Sequence, residues 1–277
     1  MKRIALHSAP RSGSTWLGEI LNSNEKTVYK LQPLFSYAFK DRLNENSSKD
    51  EIILFFKELA LKKDNFLDQT DKKEKGIIPI FNKNKSSNFI IYKEVRYHQI
   101  LRNLLEKDED IIVIGLIRNP LSVINSWLRA PKEFKKELGW NELEEWRYAP
   151  KKNLDKSEEF NGFEKWKEVT LLFEELQIEF TNRFYLLKYD DLLNNTEHEV
   201  NKLFSFCGLE LTRQTLSFIN KSTNTDRSTE AYSVFRNNQT DDKWKSQLNP
   251  KIISDIQKDL IGTKLEKYLI QNWFKKQ

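Results

Sequence analysis

Apolar positions along the chain switch repeatedly between a continuous pattern and a helical one. Residues 2–9 are a short, mostly apolar run ending in Pro10-Arg11-Ser12-Gly13, which predicts a strand feeding a tight loop. Over residues 14–21 the apolar positions Trp16, Leu17, Ile20 and Leu21 have helical spacing. Ser48-x-x-Glu51 is a capping box, and the helix it opens turns Ile52, Ile53, Phe55, Phe56 and Leu59 inward. Residues 62–87 are rich in Lys, Asp and Asn and read as a surface excursion. Two β-branched runs follow, 89–95 (FIIYKEV) and 111–117 (IIVIGLI). The second is apolar almost throughout, as expected of a parallel strand covered on both faces. Asn119-Pro120 supplies an N-cap and a proline at the first helical position, predicting a helix to about Leu128. Residues 163–181 predict a long amphipathic helix, 185–189 a short strand, and 195–207 a helix stopped by Gly208. Asn249-Pro250 opens the last helical region, with a break at Gly262.

Strands that alternate with helices predict the α/β class: a three-layer α/β/α fold with a central, mostly parallel sheet, like that of P-loop nucleotide triphosphatases. The pattern shows no repeat and no linker, so residues 1–277 are expected to form one domain. A chain of 277 residues can bury a substantial core. The hydrophobic share of 38% and the charged share of 31% describe a globular chain rather than a disordered or fibrous one.

Charge narrows the partners. The net charge of +5 comes from 46 basic residues intermixed with 41 acidic ones, whereas a nucleic-acid binder gathers its Lys and Arg on one stripe. No nucleic-acid partner is expected. Cys207 stands alone, which excludes an intrachain disulfide and a thiolate cluster, and with three His residues no metal is assigned. No run of about 18 apolar residues exists, so no membrane span is expected. The first apolar stretch is too short for a secretory leader, and the expected location is cytoplasmic.

The junction PRSGSTW, residues 10–16, is the first candidate site. Where a strand passes through small residues into a helix, backbone N–H groups converge and the positive end of the helix dipole attracts anions. Gly13 allows close backbone approach, Ser12, Ser14 and Thr15 offer hydroxyls, and Arg11 offers a fork for phosphate or sulfonate oxygens. Against the nucleotide triphosphatase pattern G-x-x-x-x-G-K-S/T, Ser8 replaces the first glycine and Ser14 the lysine. A cradle for triphosphate and magnesium is therefore not expected. The second candidate follows the buried strand: Arg118 at its tip and Ser126 eight residues on, at the sheet edge where ligands of open α/β sheets bind.

With these two motifs the sequence resembles the sulfotransferases that use 3′-phosphoadenosine 5′-phosphosulfate (PAPS). Their phosphosulfate loop is similar to PRSGSTW, and their 3′-phosphate motif is an Arg followed by Ser at the same spacing. The segment LLKYDDLLNNTEHEVNKLFSFCGL, residues 186–209, resembles a third family element and contains Tyr189. Arg236 with Trp244-Lys245 resembles a fourth, although its glycines are replaced by Asn237 and Asn238. The resemblance implies transfer of sulfonate from PAPS to a hydroxyl or amine of an acceptor, with adenosine 3′,5′-bisphosphate (PAP) as product and no metal. It implies that Arg11, Ser12, Gly13, Ser14, Thr15, Trp16, Arg118, Ser126, Tyr189 and Arg236 bind the donor. Arg11 and Lys93 would contact the transferring group.

For the general base, Gln32 stands where some members carry Glu, which leaves Glu94 and His98. Neighbours on a strand face opposite sides, so Lys93 and Glu94 do not point the same way, and this favours His98. Arg in the loop and the YKEVR segment look more like carbohydrate and protein-tyrosine sulfotransferases than those acting on small phenols, so a carbohydrate is one expected acceptor. Residues 131–161, with Trp140, Trp146, Arg147 and Tyr148, read either as an acceptor-binding element or as a flap packed by its tryptophans. Two alternatives stay open: a P-loop kinase of nucleosides or small molecules, and a catalytically silent module that binds PAPS.

Overall fold

A computed structural model describes residues 1–225, 234–235 and 240–269. Five strands, β1 (Lys2–Ser8), β2 (Thr27–Leu31), β3 (Phe89–Glu94), β4 (Ile111–Ile117) and β5 (Phe184–Lys188), form a sheet of order β2-β3-β1-β4-β5. Every pairing is parallel, with Leu6 opposite Lys93 on one side of β1 and opposite Ile114 on the other. The helices of the first half are α1 (Ser14–Asn22), α2 (Lys49–Leu61), α3 (Thr70–Glu74), α4 (Leu101–Lys107) and α5 (Pro120–Leu128). Those of the second half are α6 (Glu142–Glu145), α7 (Pro150–Asn153), α8 (Phe163–Glu179), α9 (Tyr189–Asn194), α10 (Thr196–Cys207), α11 (Arg213–Asn224), α12 (Trp244–Gln247) and α13 (Pro250–Leu260).

Both sheet faces are covered, which gives the α/β/α layering. On one face Ala5, Ile90, Tyr92 and Val113 pack with Phe55 of α2, Leu104 of α4, Ile124 of α5 and Phe173 of α8. On the other, Ile4, Leu6, Ile91 and Ile114 pack with Leu17 of α1, Phe204 of α10 and Phe218 of α11. Burying each such side chain contributes about 1.5–3 kcal/mol before chain entropy is counted. β4 is buried at every position, which is why its run lacks alternation.

Local chemistry sets the helix starts. Glu51 N–H donates to Ser48 Oγ at 3.3 Å and Ser48 N–H to Glu51 Oε2 at 2.8 Å, closing the expected capping box. The Asn119 side chain accepts from Leu121 N–H at 2.9 Å, with Pro120 opening α5. Gly208, in the left-handed region at φ 73°, ends α10.

Three expectations change. β2 is a strand that the pattern did not announce, because TVYKL places Lys30 among apolar residues. Lys30 is buried, and its ammonium binds Asp68 at 2.7 Å and the Lys62 carbonyl. The excursion 62–87 is not wholly superficial: Leu67, Gln69 and Ile78 are buried, and Leu67 O accepts from Leu31 N–H at the end of β2, at 2.9 Å. Tyr189 begins a helix instead of ending a strand. Among the described residues no helix is long and apolar enough to cross a membrane.

Candidate active site

The strands all point their carboxyl ends to one edge, and β1 lies between β3 and β4, so chain leaves the sheet centre in both directions there. A crevice opens at such a switch point. Here it is a cleft of about 930 Å³, within the range that takes small molecules.

The loop after β1 forms its floor. Arg11 has φ 68° and Gly13 φ 88°, two left-handed residues within three. A non-glycine residue in that region costs about 1–2 kcal/mol, and such strain, once observed, points to function. Gly13 caps α1 with no side-chain hydrogen bond, so the first N–H groups of the helix are left for a ligand. A Cβ at position 13 would sit 2.4 Å from Tyr189 Cε2, so Gly13 is required both by conformation and by the ring packed on it.

Two arginines meet over this floor. Arg118 leaves the tip of β4 and donates through Nη1 to the carbonyl of Arg11 at 2.8 Å. Its other nitrogens bind Asp241, Nε to Oδ2 at 2.8 Å and Nη2 to Oδ1, and the guanidinium lies 4.8 Å from the centre of the Tyr189 ring. Ser122 Oγ donates to the Asp241 carbonyl at 3.0 Å, which anchors that segment over α5. Arg11 donates from Nε to Ser126 Oγ at 3.1 Å and from Nη1 to Glu133 Oε1 at 3.3 Å. Residues separated by more than a hundred positions are thus within one hydrogen-bonded chain.

A slot opens beside it. The Trp16 and Tyr189 rings meet edge to face at 6.3 Å, and Trp16 Nε1 donates to Ser222 Oγ at 3.0 Å. Ser222, Thr223 and Asn224, the last turn of α11, complete the wall. Nothing in their sequence marks them, since their role comes only from where α11 ends.

Strand alternation separates Lys93 from Glu94 as expected. Lys93 lines the cleft, and its Nζ makes no hydrogen bond among the described residues. Burial pushes its pKa below the usual lysine range, partly offset by the charge of Glu94. Glu94 turns away. Its Oε1 accepts from Val95 N–H at 3.1 Å, its Oε2 is buried with no partner among the described residues, and burial raises its pKa.

His98 is the larger correction. Tyr97 takes a left-handed turn at φ 56°, and this drops His98 into the interior, where it is fully buried. Its Nδ1 lies 3.0 Å from His7 Nδ1, and its ring packs against Phe160 at 4.4 Å and Phe173 at 5.7 Å. Burial pushes its pKa down to about 3. Neither His98 nor Glu94 reaches the cleft, so neither can take a proton from a bound acceptor. Ser12 is also buried away from the cleft wall, with its Oγ unpartnered among the described residues. Arg236 lies outside the described residues.

A sulfotransferase domain model matches residues 2–268 of the chain. The chain belongs to the sulfotransferase family. No curated protein matches it in sequence. Among solved structures, mouse sulfotransferase SULT7A1 complexed with PAP matches with a TM-score of 0.55 and 15% identity, covering 99% of this chain and 89% of that one. Retinol dehydratase in a complex with retinol and PAP matches with a TM-score of 0.52 and 14% identity, covering 95% and 82%. At such identities the likeness is one of fold.

The far half of the cleft in this sulfotransferase is built by connections outside the sheet. Phe35 follows β2, Phe66 and Lys72 come from the 62–87 excursion, and Lys132, Glu133 and Asn161 come from the long connection between α5 and α8. Arg96 lies 4.2 Å over the Phe35 ring and is held by Glu159 at 2.8 Å and by Gln32 Oε1 at 3.0 Å. Trp140, Trp146, Arg147 and Tyr148 do not line the cleft. Trp146 stacks on Phe163 at 5.8 Å, and Arg147 covers Trp146 while binding Glu164 and Asp259 at 2.8 and 2.5 Å. For Trp140, Trp146 and Arg147 the packed-flap reading describes what is seen, while Tyr148 is exposed.

Proposed function

We propose that this enzyme transfers the sulfonate of PAPS to a hydroxyl of an acceptor and releases PAP. The observation behind this reading is the hydrogen bond from Arg118 to the backbone of Arg11, which joins two anion-binding elements in one cleft. The uncapped end of α1 with Ser14 and Thr15 suits the 5′-phosphosulfate. Arg118 and Ser126 suit the 3′-phosphate, and the slot between Trp16 and Tyr189 suits the adenine ring. Arg11 and Lys93 flank the transferring group as fixed positive charge, and Arg11 acts electrostatically because a guanidinium does not give up its proton at neutral pH.

For the acceptor, Phe35 and Phe66 offer ring faces while Lys72, Arg96 and Lys132 offer donors. A sugar combines C–H faces with hydroxyls in this way, and a carbohydrate hydroxyl is the acceptor class proposed. Calorimetry with PAP, set beside ADP plus magnesium, tests the donor. Tight binding of PAP alone supports the reading, and preference for ADP with magnesium replaces it with a kinase. Transfer of labelled sulfonate from PAPS to a sugar, a phenol and a long-chain alcohol then tests the acceptor, and a failure on all three leaves a silent binding module.

Lys93 predicts a pH dependence. Its folded pKa is lowered by burial, so the ammonium that attracts the sulfonate is lost as pH rises through a range below that of an ordinary lysine. In kcat/KM for PAPS, which reports the free enzyme, activity should fall on that alkaline side. Bound donor supplies negative charge and moves the same limb of kcat upward. The profile of Lys93→Met should lack the limb, and an unchanged profile would show that Lys93 does not meet the donor.

A further inference from the structure

We infer that Glu133 is the general base of the sulfonate transfer, an inference that rests on the donor reading above. The two groups that the sequence suggested for this task, His98 and Glu94, are buried and do not line the cleft, and Gln32, which does, has no basic atom. Val95, the next cleft-lining residue after Lys93, is apolar. Asp241 is committed to Arg118 by two hydrogen bonds, and Glu159 is committed to Arg96. Among the described residues that line the cleft, Glu133 carries the one carboxylate.

Its place fits the chemistry. Glu133 Oε1 lies 3.3 Å from Arg11 Nη1, beside the guanidinium assigned to the transferring group, and its charge is felt at Lys93 across the cleft. The side chain is 24% exposed, so it is open to a ligand without being loose in solvent. The turn that bears it is fixed from behind. Glu133 N–H and Phe134 N–H both donate to the Ala130 carbonyl at 2.8 Å, and buried Phe134 is wedged edge-on between Trp127 at 5.6 Å and Trp140 at 5.7 Å. A base needs such fixed placement within hydrogen-bond reach of the proton.

The step balances. The acceptor oxygen forms a bond to sulfur, and the bond between sulfur and the bridging phosphate oxygen breaks. Its electron pair leaves on the phosphate of PAP beside Arg11, and the hydroxyl proton passes to the Glu133 carboxylate. Glu133 Oε1 is the oxygen that accepts from Arg11, and Oε2 is the one assigned to that proton.

The test compares the wild type with Glu133→Gln, using labelled PAPS and a panel of 2-naphthol, a long-chain primary alcohol and a methyl glucoside. PAP affinity by calorimetry reports folding and an intact donor site. With PAP affinity retained, kcat on the acceptor used by the wild type should fall about 10²–10⁴-fold, the range a general base supplies. An acceptor that is already ionised, p-nitrophenolate, should lose far less, and formate should restore part of the activity of Glu133→Ala, which a merely structural role would not allow. The assignment is overturned by a Glu133→Gln enzyme that keeps PAP binding and transfers sulfonate at close to the wild-type rate. It is equally overturned by slow variants that lose as much on p-nitrophenolate as on the neutral acceptor and are not rescued by formate. A wild type that binds no PAP and transfers no sulfonate would instead defeat the donor reading on which the assignment stands.

Discussion

Replacing Arg118 with alanine should weaken PAP binding by about 10²–10⁴-fold, because two charge-assisted hydrogen bonds of about 1.5–3 kcal/mol each are lost. Calorimetry reads this directly. The variant should also be less stable, because Asp241 is left with a carboxylate only 7% exposed and no partner for its charge. Breaking a buried pair from one side costs about 3–5 kcal/mol. The double variant Arg118→Ala/Asp241→Ala separates the two effects: it should regain much of the stability and none of the binding. Asp241→Asn, with Arg118 intact, should bind PAP more tightly than the wild type, since the phosphate no longer displaces a carboxylate from the guanidinium. Wild-type PAP affinity in Arg118→Ala would remove Arg118 from the donor site.

Gly13→Ala should cost both stability and PAP binding, because the added methyl meets the Tyr189 ring at a left-handed position. The left-handed conformation costs about 1–2 kcal/mol for alanine, and the contact with Tyr189 adds overpacking of about 1–3 kcal/mol. Equilibrium unfolding in denaturant should therefore show a loss of about 2–5 kcal/mol. Relief of the clash would pull the loop off Tyr189 and the N-terminus of α1 with it, so PAP binding should fail as well. Gly139→Ala is the control. Gly139 has a similar φ of 71° with nothing within 4 Å of the added carbon, so it bears the conformational cost alone and should leave PAP binding unchanged. Equal losses in the two variants would mean that the Tyr189 contact has no energetic weight.

The sequence made legible what depends on local chemistry. β4 is readable because burial on both faces leaves an unbroken apolar run, and α5 because Asn119-Pro120 is a start signal that needs no tertiary context. PRSGSTW is readable for the same reason: a strand, a left-handed turn and a helix are adjacent in the chain. β2 was hidden by Lys30, whose partner Asp68 is remote in sequence. His98 was misplaced because one left-handed residue, Tyr97, reverses its direction, and no residue type at 97 announces that turn. Glu133, Asp241 and the end of α11 were invisible. Each enters the site through contacts spanning a hundred residues or more, as Arg11 with Glu133 and Arg118 with Asp241 do.

The two halves of the cleft have different parentage. One half has as its floor the loop leaving β1 and is reached from the tip of β4, both set by the hydrogen-bonded register of the sheet. The far half takes Phe66 and Lys72 from the 62–87 excursion and Lys132, Glu133 and Asn161 from the connection between α5 and α8, which lie outside that register. A substitution in those connections can therefore reshape one half of the cleft while the strand register behind the other half stays as it is.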